Sequence, residues 1–205
     1  MRIPALLLLS ALLIGCSTTA VRLTEAERQT AWQNHLQKLN ASHRWSMRGR
    51  VALQTDDRGW QARISWVKSE RKQHIQLSGP FGGSVVALTQ DRNGAVLRDN
   101  RGNEYMDSDA ERLLQQVTGW KIPINGLQYW VRGQAIPNVN AKLELDEIGR
   151  LKSLKQNNWE IRYLAYARYG QLQLPRRIFM SRLVGDGSGR ILEVRLALNR
   201  WQSDP

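Results

Sequence analysis

The side chains able to make or break covalent bonds are few in this sequence, and they are scattered. There are three histidines, His35, His43 and His74, and one cysteine, Cys16. A Ser or Cys nucleophile needs a base held beside it, and none of the three histidines stands in a recognised nucleophile pattern. Zinc-type spacings such as His-x3-His and Cys-x2-Cys are absent from the chain. The carboxylates fall mostly in turns and at helix starts, where Asp107 and Asp109 suit the positive end of a helix dipole. The run Gly185-Asp186-Gly187-Ser188-Gly189 lacks the Lys-Ser/Thr of a phosphate loop and lies between two strand patterns, so it reads as a hairpin turn. The sequence therefore predicts a protein that is not an enzyme and carries neither metal nor cofactor.

Cys16 has a different chemistry available to it. It ends an apolar run over residues 5–15 that follows a cationic start, Met1-Arg2. A run that short falls below the roughly 20 residues a helix needs to cross a bilayer, so residues 1–15 read as a signal peptide that is removed. Leu13-Ile14-Gly15-Cys16 looks like a lipobox, the bacterial processing signal whose thiol receives diacylglycerol and whose new amino terminus is acylated. The alternative, an ordinary secreted protein, would leave a free thiol in an oxidising compartment. Each buried CH2 contributes about 0.8 kcal/mol and two chains suffice for stable anchoring, so a triacylated Cys16 would hold the protein on a membrane. Ser17 follows it rather than Asp, which by resemblance to lipoprotein sorting rules points to the outer membrane. Residues 16–23 are then the lipidated tether and residues 24–205 a single domain.

The elements of that domain follow from periodicity. Thr24-Glu25-Ala26-Glu27 has the form of a capping box, and Trp32, Leu36 and Leu39 follow at helical spacing. From His43 the period becomes two: Trp45, Met47, Val51 and Leu53 alternate with polar residues, with Gly49 on the apolar side. The alternation resumes in Trp60, Ala62, Ile64 and Trp66 after the turn Asp56-Asp57-Arg58-Gly59, and again in Ile75 and Leu77. Further strands are expected at 85–90, 95–99 and 103–106, joined by Asn93-Gly94 and Asn100-Arg101-Gly102. Helical spacing returns after Ser108, read as a second capping box with Glu111, and carries Leu113, Leu114 and Val117 to Gly119. A shorter helix carries Leu127, Trp130 and Val131. Strands are then expected at 143–145, 151–156, 159–165, 176–183 and 192–199. The fold class is mainly β (α+β): an open, strongly curved antiparallel β-barrel of about eleven strands, with three helices as lid or plug.

Large apolar residues line one side of that sheet, and two interiors satisfy the pattern: a filled core, or a cavity able to take acyl chains. The residues at issue are Trp45, Val51, Leu53, Ile64, Trp66, Ile75 and Leu77 on strands, with Leu113, Leu114, Leu127 and Trp130 on helices. Between two strands stands Ser78-Gly79-Pro80-Phe81-Gly82-Gly83, where an aromatic residue occupies a Gly/Pro turn. Phe81 either folds back onto the core or forms an exposed apolar tip that enters a bilayer or another protein. The formal net charge of +12 suits anionic membrane, nucleic acid or an acidic protein; export and lipidation remove nucleic acid from the candidates.

Several of these segments together resemble the LolB family of outer-membrane lipoprotein receptors, over nearly the whole mature chain. The resemblance rests on the lipobox, Arg48-Gly49, Gly79-Pro80-Phe81-Gly82, and Arg98-Asp99-Asn100-Arg101-Gly102 leading into Asp107-Ser108-Asp109-Ala110. It extends through Thr118-Gly119-Trp120-Lys121-Ile122-Pro123-Ile124-Asn125, Pro175 and residues 191–201. It implies an open barrel with a helical lid over a hydrophobic cavity, a monomer facing the periplasm, and lipoprotein cargo received from a LolA-like periplasmic carrier. It implies also that Phe81, flanked by Pro80 and Gly82, is the protruding residue that delivers cargo into outer-membrane phospholipid. Family members carry Leu there; Phe keeps the hydrophobicity and changes the shape. The rival reading is an outer-membrane lipoprotein that binds free lipid or scaffolds an assembly without handing cargo on.

Overall fold

Alternation of apolar and polar side chains commits most of this chain to strands buried on one face, and the chain folds accordingly. A computed structural model describes residues 23–56, 58–79, 84–185 and 187–204. Among these residues eleven strands form one sheet: β1 (Arg44–Gln54), β2 (Gly59–Lys68), β3 (Gln73–Ser78), β4 (Ser84–Asp91), β5 (Gly94–Asp99), β6 (Glu104–Asp107), β7 (Lys142–Leu145), β8 (Leu151–Gln156), β9 (Trp159–Tyr169), β10 (Leu172–Leu183) and β11 (Ile191–Asp204). Their order is β6-β5-β4-β3-β2-β1-β11-β10-β9-β8-β7, with every neighbour antiparallel. Pairing of β1 with β11 joins two meanders, β1–β6 and β7–β11, at the centre; the edge strands β6 and β7 do not pair, so the sheet is open, as expected.

Among the described residues three helices accompany it. α1 (Glu25–Ala41) begins at the expected capping box, with Thr24 accepting from Glu27 N at 3.3 Å and Glu27 accepting from Thr24 N at 2.8 Å. Its far end is closed by a distant residue: the largely buried guanidinium of Arg132 donates to the Leu39 carbonyl and, at 3.2 Å, to the Ser42 carbonyl. Burial lowers the Arg132 pKa to about 10, so it remains charged at neutral pH where it serves the negative end of the helix. α2 (Ala110–Thr118) and α3 (Ile124–Trp130) lie in the connection between the two edge strands.

Three local expectations are corrected. The predicted Ser108 to Glu111 capping box does not form. Asp109 is the N-cap, accepting from Glu111 N at 2.8 Å and Arg112 N at 3.3 Å, while the Glu111 carboxylate accepts from Asn125 N at 3.0 Å. A carboxylate placed one residue later reaches two free amides, and Glu111 is thereby released to tie α2 to α3. Second, β10 begins at Leu172 and runs through Pro175. Pairing of β10 with β11 starts only at Arg177, so Pro175 opposes β9 alone, at a register irregularity where its missing N–H leaves no ladder bond unmade. Third, β11 continues to Asp204.

That continuation depends on Gly49. The β1/β11 register slips between Arg48 and Gly49, and a Cβ on Gly49 would lie 2.3 Å from the Ala197 carbonyl oxygen and 2.9 Å from Leu198 Cα. Glycine is needed there because backbone approaches backbone. One continuous core results, running from Trp32 on α1 across the concave face of the sheet to Trp201. Among the described residues no helix is long and apolar enough to cross a membrane.

Candidate functional site

The concave face is not filled. A cavity of about 620 Å³ lies between the β1–β4 part of the sheet, β11 and the underside of α2 and α3. That falls within the roughly 300–1,000 Å³ typical of ligand pockets. Its walls come from strand residues whose inward positions follow from the period of two: Val51 and Leu53 on β1, Trp60, Ile64 and Trp66 on β2, Ile75 and Leu77 on β3. β4 and β11 add Val86, Leu88, Val194 and Leu196. The roof is Leu114 and Val117 of α2, Trp120 and Ile122 of the linking segment, and Ile124 and Leu127 of α3.

Eight of the eleven residues singled out in the sequence therefore line this space: Val51, Leu53, Ile64, Trp66, Ile75, Leu77, Leu114 and Leu127. Three sit elsewhere. Trp45 packs between Trp66 and Trp201, with ring centroids 5.2 and 5.6 Å away, on the same inner face at the start of β1 but outside the cavity lining. Leu113 is buried in the core under α2. Trp130 is fully buried against Trp159, at 6.0 Å, and anchors α3. All three satisfy the apolar pattern, and what separates them from the lining set is where along its strand or around its helix each one stands relative to the open space, which periodicity leaves open. Val86, Leu88, Val194 and Leu196 also line the space and carry the same apolar alternation, but nothing in a single sequence says which strands bend around it.

The polar lining residues are Gln116 and Thr118 of α2 and a group at the rim. The cavity opens at the sheet end carrying the β1–β2, β3–β4 and β5–β6 connections, where Asp99, Asn100, Arg101 and Tyr105 border it. Asp99 is a turn-former: its carboxylate accepts from Asn103 Nδ2 and Asn103 N at 2.9 Å each, Arg101 N at 2.8 Å and Tyr105 OH at 3.3 Å. These donors, led by the Asn103 side chain, hold its pKa below the usual carboxylate value. The rim is thus structured by its own hydrogen bonds.

Buried polar side chains steady the walls and the roof. Trp66 Nε1 donates to Gln73 Oε1 at 3.2 Å, and Gln73 Nε2 donates to Gln90 at 2.6 Å, fixing the Trp66 indole in the wall. Gln156 on β8 does the same for the roof. Its Oε1 accepts from Trp130 Nε1 at 3.0 Å and Ile136 N at 2.8 Å, and its Nε2 donates to the Ile136 and Val139 carbonyls at 3.1 and 3.0 Å. The Tyr163 hydroxyl donates to the Trp130 carbonyl at 3.0 Å, and burial pushes its pKa far up, so it stays protonated as that bond requires. The chemistry available is apolar binding: an apolar cavity with an ordered rim offers nothing to a water molecule and much to a hydrocarbon chain.

Phe81, Pro80 and Gly82, together with Cys16, lie outside the described residues; the segment that contains Phe81 joins Ser78 of β3 to Ser84 of β4. Among the described residues no three His, Cys, Asp or Glu side chains group together as metal ligands would.

Comparison with known proteins gives a consistent set of relatives. The family model described as Outer membrane lipoprotein LolB matches residues 43–201. Outer-membrane lipoprotein LolB of Chromohalobacter salexigens is 34% identical over 196 residues, covering 96% of this chain and 88% of that protein. The protein of the same name from Pseudomonas syringae pv. syringae is 31% identical, covering 95% and 92%. Among solved structures, a putative outer membrane lipoprotein-sorting protein domain from Vibrio parahaemolyticus superposes with a TM-score of 0.53 at 10% identity, over 86% of this chain and 93% of that one, a likeness of fold alone.

Proposed function

The chain belongs to the LolB family, and from that premise we propose that it is an outer-membrane lipoprotein facing the periplasm, which receives other lipoproteins from a LolA-like carrier and places them in the membrane. The single observation that carries the reading is the apolar cavity roofed by α2 and α3 and open at one end of the sheet. A C16 acyl chain released into water costs on the order of 12 kcal/mol by the methylene increment. Cargo therefore passes directly from one apolar space to another, and needs no nucleotide if each successive environment binds it more favourably. This protein acts as a monomer and as a binding protein rather than an enzyme.

Delivery is assigned to Phe81, whose segment leaves the sheet at the end where the cavity opens. An aromatic side chain in a Gly/Pro turn gives an apolar point that enters the acyl region of the membrane in which Cys16 would be anchored. The test is transfer of a lipoprotein from loaded carrier to this protein, then to vesicles. Phe81→Glu is expected to accept cargo normally and fail to deliver it; normal delivery by this variant removes Phe81 from the mechanism. Failure of the unaltered protein to take cargo from the carrier would leave the free-lipid-binding alternative in its place.

A further inference from the structure

The convex face of the sheet carries a cluster of arginines to which the cavity gives no role. Arg48 and Arg50 point outward from β1, Arg63 from β2 and Arg200 from β11, and all four are exposed. The registers place them in direct opposition, Arg48 facing Arg200 and Arg50 facing Arg63. Like charges directly opposite in an antiparallel pair destabilise it, and here the repulsion is not relieved from within. Among the described residues no carboxylate lies within ion-pair distance of any of the four, although Arg44, Arg98, Arg112, Arg150 and Arg195 each have one. Arg48, Arg63 and Arg200 border a surface groove of about 410 Å³, completed by Ser65, Gln76 and Ser78. Hydroxyl and amide groups between guanidinium groups suit an anion with several acceptor oxygens, and a phosphate takes bidentate bonds from Arg.

We propose that this groove is a docking site for the phosphate headgroup of an anionic phospholipid, holding the convex face of the β3–β2–β1–β11 region against the membrane. The inference rests on the delivery role proposed above and supplies its orientation. Arg63 pairs with Ser78, the last residue of β3 before the segment containing Phe81, so the cationic groove and that segment share one stretch of sheet. A lipid surface fits better than an acidic carrier for a geometric reason. Cargo enters where the cavity opens, at the end of the sheet bordered by Asp99, Asn100, Arg101 and Tyr105, so a carrier must face that end, while the four arginines stand on the convex face of the strands. The negative potential of an anionic leaflet changes partition by about fivefold for each basic residue brought to it.

The lipidated protein, reconstituted in phosphatidylcholine vesicles with or without phosphatidylglycerol, is labelled with phenylglyoxal and each arginine's reactivity is read by mass spectrometry. Arg71 and Arg168, exposed at the opposite end of the sheet, serve as internal references. The expected result is selective slowing at Arg48, Arg50, Arg63 and Arg200 when phosphatidylglycerol is present, lost in Arg48→Gln/Arg63→Gln, with delivery to those vesicles slowed and uptake from the carrier unchanged. Equal reactivity in both vesicles overturns the proposal. So does the same protection from inorganic phosphate beside neutral vesicles, which would make the groove an ion site. Protection by the carrier alone would make it a protein interface and equally overturn it. Because footprinting is independent of cargo, protection without transfer would refute the delivery reading while leaving the docking face standing.

Discussion

Replacing Gln156 by Leu tests whether the cavity roof is held by a buried amide. Gln156 is 3% exposed, and its side chain meets four backbone or indole groups with good geometry. Leu is close in size and offers neither donor nor acceptor, so the substitution strands the Trp130 indole N–H and the Ile136 amide. Each buried group left without a partner costs about 1–3 kcal/mol. Trp130 is fully buried and carries the full cost, whereas Val139 is 37% exposed and its carbonyl regains water. The expected loss is about 3 kcal/mol in denaturant unfolding, or a fall of roughly 6–12 °C in melting midpoint for a domain this size. Because Trp130 and Ile136 fix α3 and the segment after it, the same variant should loosen Ile124 and Leu127 at the cavity. Hydrogen exchange in α3 should then accelerate more than in β1 or β11. A double-mutant cycle with Trp130→Phe isolates the indole bond, with an expected coupling of at least about 1 kcal/mol. A loss below about 0.5 kcal/mol, or no coupling, would refute the account of the roof.

Three further outcomes follow from single residues. Val86→Trp puts an indole into the cavity from β4 and should weaken binding of a fluorescent fatty acid by about tenfold, roughly 1.4 kcal/mol, with the fold intact by circular dichroism; undiminished binding would move the apolar site elsewhere. His35 is largely buried with its Nε2 unpartnered, and desolvation, assisted by Lys38, Arg150 and Arg132, lowers its pKa from 6.5 to about 4. As pH falls through that interval the unfolded chain takes up a proton that the folded chain refuses, so stability is complete above pH 6.5 and declines toward pH 4, by about 2 kcal/mol after discounting for solvent screening. His35→Leu should flatten that part of the stability profile, and an unchanged slope would show that His35 is accessible to protons. Gly49→Ala should cost about 1–3 kcal/mol because its Cβ meets β11 backbone, while Gly59→Ala, with open space around it, should cost little; equal melting midpoints for the two would remove the close approach at Gly49.

What the sequence determined by itself was the fold and the character of its inner face. The alternation in Trp45, Met47, Val51 and Leu53 and its repeats set eleven strands and their apolar side, because a half-buried strand exposes its period locally, two residues at a time. The lipobox resemblance and Thr24 capping box were likewise written in short contiguous segments. Tertiary structure alone decided whether the inner face encloses space. Trp45 and Trp66 satisfy the same pattern, yet Trp66 lines the cavity while Trp45 packs beside it against Trp201, contributed by the far end of the chain. The same holds for the convex arginines: each is an ordinary outward residue of its strand, and only the registers of β1 with β2 and β11 set Arg50 against Arg63 and Arg48 against Arg200. Void and charge cluster alike are properties of how distant strands curve and register against one another, and neither curvature nor register is recorded in the side-chain pattern of any one strand.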